Sequence, residues 1–191
     1  MKQGLLYLLL TVSYLSFSQM ELGLDVSSGF GLNHKTEASV GGATKTWQTV
    51  TQVGLRFQFG LLPTKKVALE TGLYAKYIRA TGEIGTMHFT YNTLRLLIPV
   101  GLKFNLTNNW NASAGVYIQN NRDFENIIVN QAFNFRFDGY CQVAYQPTAQ
   151  FAFSVRYQRA LSNLNSAYFI NDAQNAVLCG ITCYFKSQPK R

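Results

Sequence analysis

Two histidines, His34 and His88, are the only imidazoles in this 191-residue chain. Ser39 and Ser162 offer hydroxyl nucleophiles, and Glu37 and Glu83 offer carboxylates that could orient a base, so Ser–His hydrolysis or acyl transfer is the first chemistry to weigh. No spacing ties these residues into a triad, and solvated loop positions account for them as well. Cys179 and Cys183 form a CxxxC pair, but zinc would need further ligands, and both histidines lie far off in sequence. With Cys141 they make an odd set, which does not fit a disulfide framework. All three read as small apolar side chains on strands, with free thiols. The glycine-rich "VGGAT" lacks the Lys-Ser/Thr pair of a phosphate loop. No cofactor and no metal site is implied.

The charged residues are more informative than the nucleophiles. Only 14% of the chain is Asp, Glu, Lys or Arg, while 14% is Phe, Trp or Tyr. The formal charge is +8, yet the cations are scattered singly through apolar stretches, except in the terminal "KSQPKR". Nucleic acid is not an expected partner, because such surfaces cluster their Lys and Arg. In "NTLRLLIPVGLKFNL", residues 92–106, Arg95, Pro99 and Lys103 interrupt an otherwise apolar run.

The elements that must position these charges follow from a period of two. Leu94, Leu96, Ile98, Val100, Leu102, Phe104 and Leu106 share one parity, and Arg95, Pro99, Gly101 and Lys103 the other. In 133–145, Phe133, Phe135, Phe137, Cys141, Val143 and Tyr145 alternate with Asn134, Arg136, Asp138, Tyr140 and Gln142. Eight such stretches run over about 20–33, 46–61, 67–80, 90–106, 110–121, 133–146, 151–161 and 175–185. Each is near the ~10 residues a tilted membrane strand needs. The connections alternate: "LPTKK", "TNN" and "PTAQ" are short, whereas "HKTEASVGGATK", "TGEIGTMHF", "NRDFENIIVNQA" and "SNLNSAYFINDAQ" are long.

An even strand number, short turns at one end and long loops at the other predict an all-β fold, an eight-stranded antiparallel up-and-down transmembrane β-barrel over residues 19–191. Its apolar parity is expected to meet lipid, and its polar parity to fill the lumen. A charge introduced at Leu96 is therefore expected to cost more than one at Gln142. Phe59, Phe104, Trp110, Tyr145, Phe151 and Phe185 would ring the short-turn end, with Trp47, Tyr77, Phe135 and Tyr157 toward the other. Pro99, which cannot donate to a closed ladder, predicts a bulge or a local water.

The expected lumen network is Asp25, Glu70 and Asp138 against Arg56, Lys76, Arg95, Lys103, Arg136 and Arg156. An eight-stranded interior is just wide enough for side chains to fill, so ion pairs are expected to plug it. Six cations against three acids would alternatively favour a narrow anion-preferring passage. On a small barrel, His and Ser in the outer loops would point to lipid A modification, the weakest of the alternatives. Ile127, Ile128 and Val129 in one long loop, and Tyr168, Phe169 and Ile170 in another, are candidate docking residues for another envelope protein.

The N-terminus predicts export. Lys2, the apolar "GLLYLLLTVSYL" and the small-x-small Ser16-Phe17-Ser18 describe a signal peptide over 1–18, with no cysteine following to suggest a lipid anchor. The expected location is the outer membrane, with short turns and both termini periplasmic and long loops extracellular.

"TLRLLIPVGLKF" resembles the L-x-I-P-x-x-x-K strand of the PorT-like outer-membrane β-barrels common in the Bacteroidetes, and "NLTNNWNASAGVYI" resembles that family's following turn and strand. This chain departs from the family in having Arg95 and Leu97, where an acidic residue often precedes Ile-Pro. The resemblance implies a small barrel of OmpA or OmpX size, in a family with one branch linked to protein secretion and gliding. A structural or partner-binding role, in an envelope or secretion-associated complex, is the function expected.

Overall fold

Residues 20–32, 43–61, 66–84, 87–120, 135–161 and 175–185 are described by the computed structural model. The proposed signal peptide, His34, Glu37, Ser39, Ser162 and the loop residues Ile127, Ile128, Val129, Tyr168, Phe169 and Ile170 lie outside that set. The described residues form eight strands: β1 (Met20–Leu32), β2 (Ala43–Gly60), β3 (Val67–Ile84), β4 (Met87–Asn105), β5 (Trp110–Asn120), β6 (Phe135–Tyr145), β7 (Phe151–Ala160) and β8 (Asn175–Tyr184). Each pairs antiparallel with its sequence neighbour, and β8 pairs with β1, closing an up-and-down barrel.

Closure fixes the geometry. Following direct partners once around, Met20 meets Phe59, then Leu69, Leu102, Ala114, Cys141, Tyr157 and Val177, and the circuit returns to β1 at Phe30. The ring is thus staggered by ten residues, which imposes a strand tilt of roughly 35–45°. At that size the bore accommodates side chains and little else.

Alternation is strict where the two faces differ most. Along β7, Phe151, Phe153, Val155 and Tyr157 are exposed, while Ala152, Ser154, Arg156 and Gln158 are buried. On β4, Leu94 through Phe104 face outward at every second residue, and Arg95, Pro99, Gly101 and Lys103 face inward. The outward face keeps Phe153 51%, Val155 55% and Ile98 46% exposed, so apolar side chains follow one another along the outside of the strands.

The β4–β5 and β6–β7 turns are built alike. Thr107 Oγ1 accepts the backbone N–H groups of Asn109 and Trp110, at 3.3 and 3.0 Å. Thr148 Oγ1 does the same for Gln150 and Phe151, at 3.3 and 3.1 Å. The hydroxyl satisfies donors that the turn leaves without strand partners and starts the next strand on an outward aromatic. Trp110 packs on Tyr145 across β5 and β6 with ring centroids 5.0 Å apart. Together with Phe59, Phe104, Phe151 and Phe185 they ring this end of the barrel. Toward the other end Tyr77 and Tyr157 are outward, while the side chains of Trp47 and Phe135 lie outside the described set.

Two expectations are corrected. Pro99 makes no bulge: the β3–β4 register is constant from Ile84↔Met87 to Val67↔Phe104, and only Gly72 and Leu73, opposite Pro99 and Ile98, drop out of the pairing. The missing donor costs a local gap, and pairing with β5 continues through Pro99↔Tyr117. A register shift instead lies at the far end of β2, between Ala43 and Lys45. Second, "TGEIGTMHF" is no long loop. β3 and β4 continue through it to Ile84 and Met87, so His88 stands exposed on β4, register partner of Glu83.

Candidate functional site: a filled interior

All nine charged residues assigned to the lumen are buried: Asp25, Arg56, Glu70, Lys76, Arg95, Lys103, Arg136, Asp138 and Arg156. At the short-turn end Lys103 Nζ donates to Gln58 Oε1 at 2.8 Å and stands 5.6 Å from the Tyr184 ring centre. Gln58 Nε2 passes the chain on to Glu70 Oε2 at 3.3 Å, and Tyr140 Oη donates to Glu70 Oε1 at 3.0 Å.

Asp25 is the centre of the next layer. Its Oδ2 lies 2.7 Å from Arg56 Nη2 and 3.3 Å from Arg156 Nη2, and accepts the Thr182 hydroxyl at 2.8 Å. Both guanidiniums also converge on Gln142 Oε1, at 3.0 Å from Arg56 Nη2 and 2.8 Å from Arg156 Nε. Arg56 reaches on to Tyr74 Oη at 3.1 Å and Glu70 at 3.7 Å. Arg156 Nη1 donates to Gln52 Oε1 at 3.1 Å, and the Gln52 and Gln158 amides pair reciprocally at 2.9 and 3.0 Å. Two cations desolvated together are tolerable because the Asp25 and Glu70 carboxylates, two amide oxygens and the Tyr74 hydroxyl divide their donors.

Beside these groups Tyr74, Tyr117 and Tyr140 cluster with Leu97, the first pair edge-on with ring centroids 6.2 Å apart and the second tilted at 4.7 Å, and the Arg156 guanidinium lies 5.8 and 5.9 Å from the rings of Tyr74 and Tyr117. Gly54 makes the room: a Cβ there would meet Tyr74 Cγ and the Leu73 carbonyl oxygen, each at 2.5 Å. Gly101 likewise leaves space for Tyr140 Oη.

Nearest the long loops the interior divides. Asp138 gathers Arg136 Nε at 2.9 Å, Gln119 Nε2 at 3.0 Å and Lys76 Nζ at 3.5 Å, with Arg95 register-paired to Lys76. Against the facing wall Val50, Ile78, Ala176 and Leu178 form a buried apolar cluster.

The sequence-assigned charges are therefore brought together, in two knots around Asp25 and Asp138 with Glu70 beside the first. Parity puts Tyr140 and Gln142 in the lumen, but sequence reasoning missed the packing of three tyrosines together, the bonds by which the glutamines knit the charges, and the apolar cluster. Parity alone carries a signal for Tyr74, which shares its face with Glu70 and Lys76 in "ETGLYAK". Gln142 is no spare lumen position either: an arginine there would replace the acceptor shared by two guanidiniums with a third cation, so the expectation of a mild effect is withdrawn.

The cysteines are free, with Cys141 and Cys179 exposed on the outward face and Cys183 half-buried. Among the described residues no group of His, Cys, Asp and Glu converges to hold a metal ion. No protein-family model matches the chain, and no curated protein matches it.

Proposed function

We propose that this protein is an integral outer-membrane β-barrel with a sealed lumen, serving a structural or partner-binding role in the cell envelope rather than catalysing a reaction. The observation that carries this is the inversion of the two faces. Arg56, Arg136 and Arg156 are each at most 2% exposed inside, while aromatic and branched aliphatic side chains cover the outside. An apolar outer band with aromatics at the short-turn end is the surface a bilayer requires. The orientation follows, with termini and short turns periplasmic and long loops outside. The resemblance of residues 93–118 to PorT-like barrels agrees with this reading, as does an export signal over 1–18. The candidate contacts to a second envelope protein are the loops around Ile127–Val129 and Tyr168–Ile170.

One observation favours a second reading, a narrow anion-preferring channel: six lumen cations face three acids. The same experiment decides both. Refolded protein in planar bilayers is expected to give no steady conductance. In gently solubilised envelopes it is expected to carry an envelope partner, lost when residues 125–130 are replaced by Gly and Ser. Steady anion-selective current without any co-purifying protein would favour the channel instead.

A further inference from the structure

Two outward constellations repeat on opposite walls. On the β3–β4 hairpin the Tyr77 hydroxyl donates to Asn92 Oδ1 at 2.9 Å, and Arg79 is the direct register partner of Asn92. On the β7–β8 hairpin the Tyr157 hydroxyl donates to Asn175 Oδ1 at 2.8 Å, and Arg159 is the direct register partner of Asn175. The pattern is Tyr-x-Arg on one strand and Asn on the next, with the same diagonal bond. Tyr77, Arg79, Asn92, Tyr157 and Arg159 are exposed, and Asn175 is half-buried.

The chemistry of each copy is one-sided. Direct cross-strand partners have their Cβ atoms about 4.5–5.5 Å apart, so guanidinium and amide project side by side. The tyrosine hydroxyl donates to the asparagine's Oδ1, which orients the amide and leaves its Nδ2 hydrogens to donate. No acidic side chain pairs with Arg79 or Arg159 among the described residues. Each copy thus presents a guanidinium fork beside an amide N–H pair, an arrangement suited to several oxygens of one phosphate.

Position supplies the occupant. Each Arg–Asn pair lies toward the long-loop end of its hairpin, beyond the outward run that starts at Phe104 on β4 or Phe151 on β7. On β7 that run is shorter, and the stem of Arg159 is long enough to lift its charge out of the hydrocarbon.

We propose that Arg79 with Asn92, and Arg159 with Asn175, are two docking sites for the phosphate of anionic lipid in the leaflet next to the long loops. This rests on the barrel being membrane-embedded, and the test separates the two claims. The protein would be reconstituted into phosphatidylcholine nanodiscs with or without phosphatidic acid, and insertion scored by heat-modifiable gel migration. Failure to insert in either lipid would reject the membrane reading itself. Given insertion, native mass spectrometry after detergent release is expected to find up to two phosphatidic acid molecules retained in preference to phosphatidylcholine. Each single variant, Arg79→Gln or Arg159→Gln, should lose one of them and weaken the preference about fivefold. The double variant should insert normally and retain neither. Retention that is unchanged in the double variant, or that is equal for phosphatidic acid and phosphatidylcholine in the wild type, would overturn the proposal.

Discussion

Asp25 is fully buried and contacted by two guanidiniums and a hydroxyl. Removing one partner of such a knot is costlier than never having built it, because the charges left behind stay desolvated. Asp25→Ala is therefore expected to destabilise the barrel by about 3–5 kcal/mol. Lys66→Ala, on an exposed short turn, should change stability by less than about 0.5 kcal/mol. Denaturant unfolding in detergent, followed by the fluorescence of Trp47 and Trp110, measures both. Equal midpoints for the two variants would mean that the Asp25 knot contributes no stability. The parity of Asp25, Arg56 and Arg156 was legible in the sequence, since each is flanked by apolar neighbours of opposite parity. Their partners were not. Gln52 bonds Gln158 across 106 residues, and that meeting depends on the stagger of the whole ring, which no local pattern encodes.

At the scale of the strand, small residues decide where large ones can lie. A methyl group on Gly54 would press on both a backbone oxygen and the fixed end of the Tyr74 ring, neither of which can swing away. Gly54→Ala is expected to cost about 1–3 kcal/mol, the range for overpacking a filled core. Gly139→Ala is the control: its Cβ would meet only the mobile end of Leu161, at 3.3 Å. Comparable unfolding midpoints for the two would show that the tyrosine layer is loosely packed. Strand existence and number were legible because period two persists wherever one face is apolar. Less legible were the extension of β3 and β4 through "TGEIGTMHF", where polar residues mask the alternation, and the way β4 absorbs Pro99. The latter is a matter of which neighbour the missing donor would have faced, and Pro99 simply leaves two β3 positions unpaired.

For the whole molecule the outward band is the testable surface. Ile98 lies midway along β4 between the aromatic Phe104 and the polar Asn92, and is 46% exposed. If that band is embedded, Ile98→Arg should cost about 2–4 kcal/mol in lipid. It should cost little in a detergent micelle, where the arginine can find water. Refolding yields measured in both media provide the check, and tolerance in lipid equal to that of Ile98→Val would contradict embedding. The sequence made the inversion of faces legible. It left the interior layering unreadable, because Val50, Ile78, Leu97 and Leu178 are apolar residues on the polar parity.

The ten-residue stagger has a consequence for how the chain finds its native state. Each hairpin chooses its own alignment, and a slip of one position turns a strand inside out, an error the solvent corrects at once. A slip of two is more insidious, since it restores the faces and passes every local test. It nevertheless changes the sum around the ring, and with it the tilt and the bore. A hollow tube would tolerate that miscount. Here Arg156 would no longer arrive opposite Asp25, Gln142 and Gln52, and several buried charges would be stranded. The interior therefore acts as a checksum, comparing eight independent alignments and admitting closure of β1 on β8 only when all of them agree.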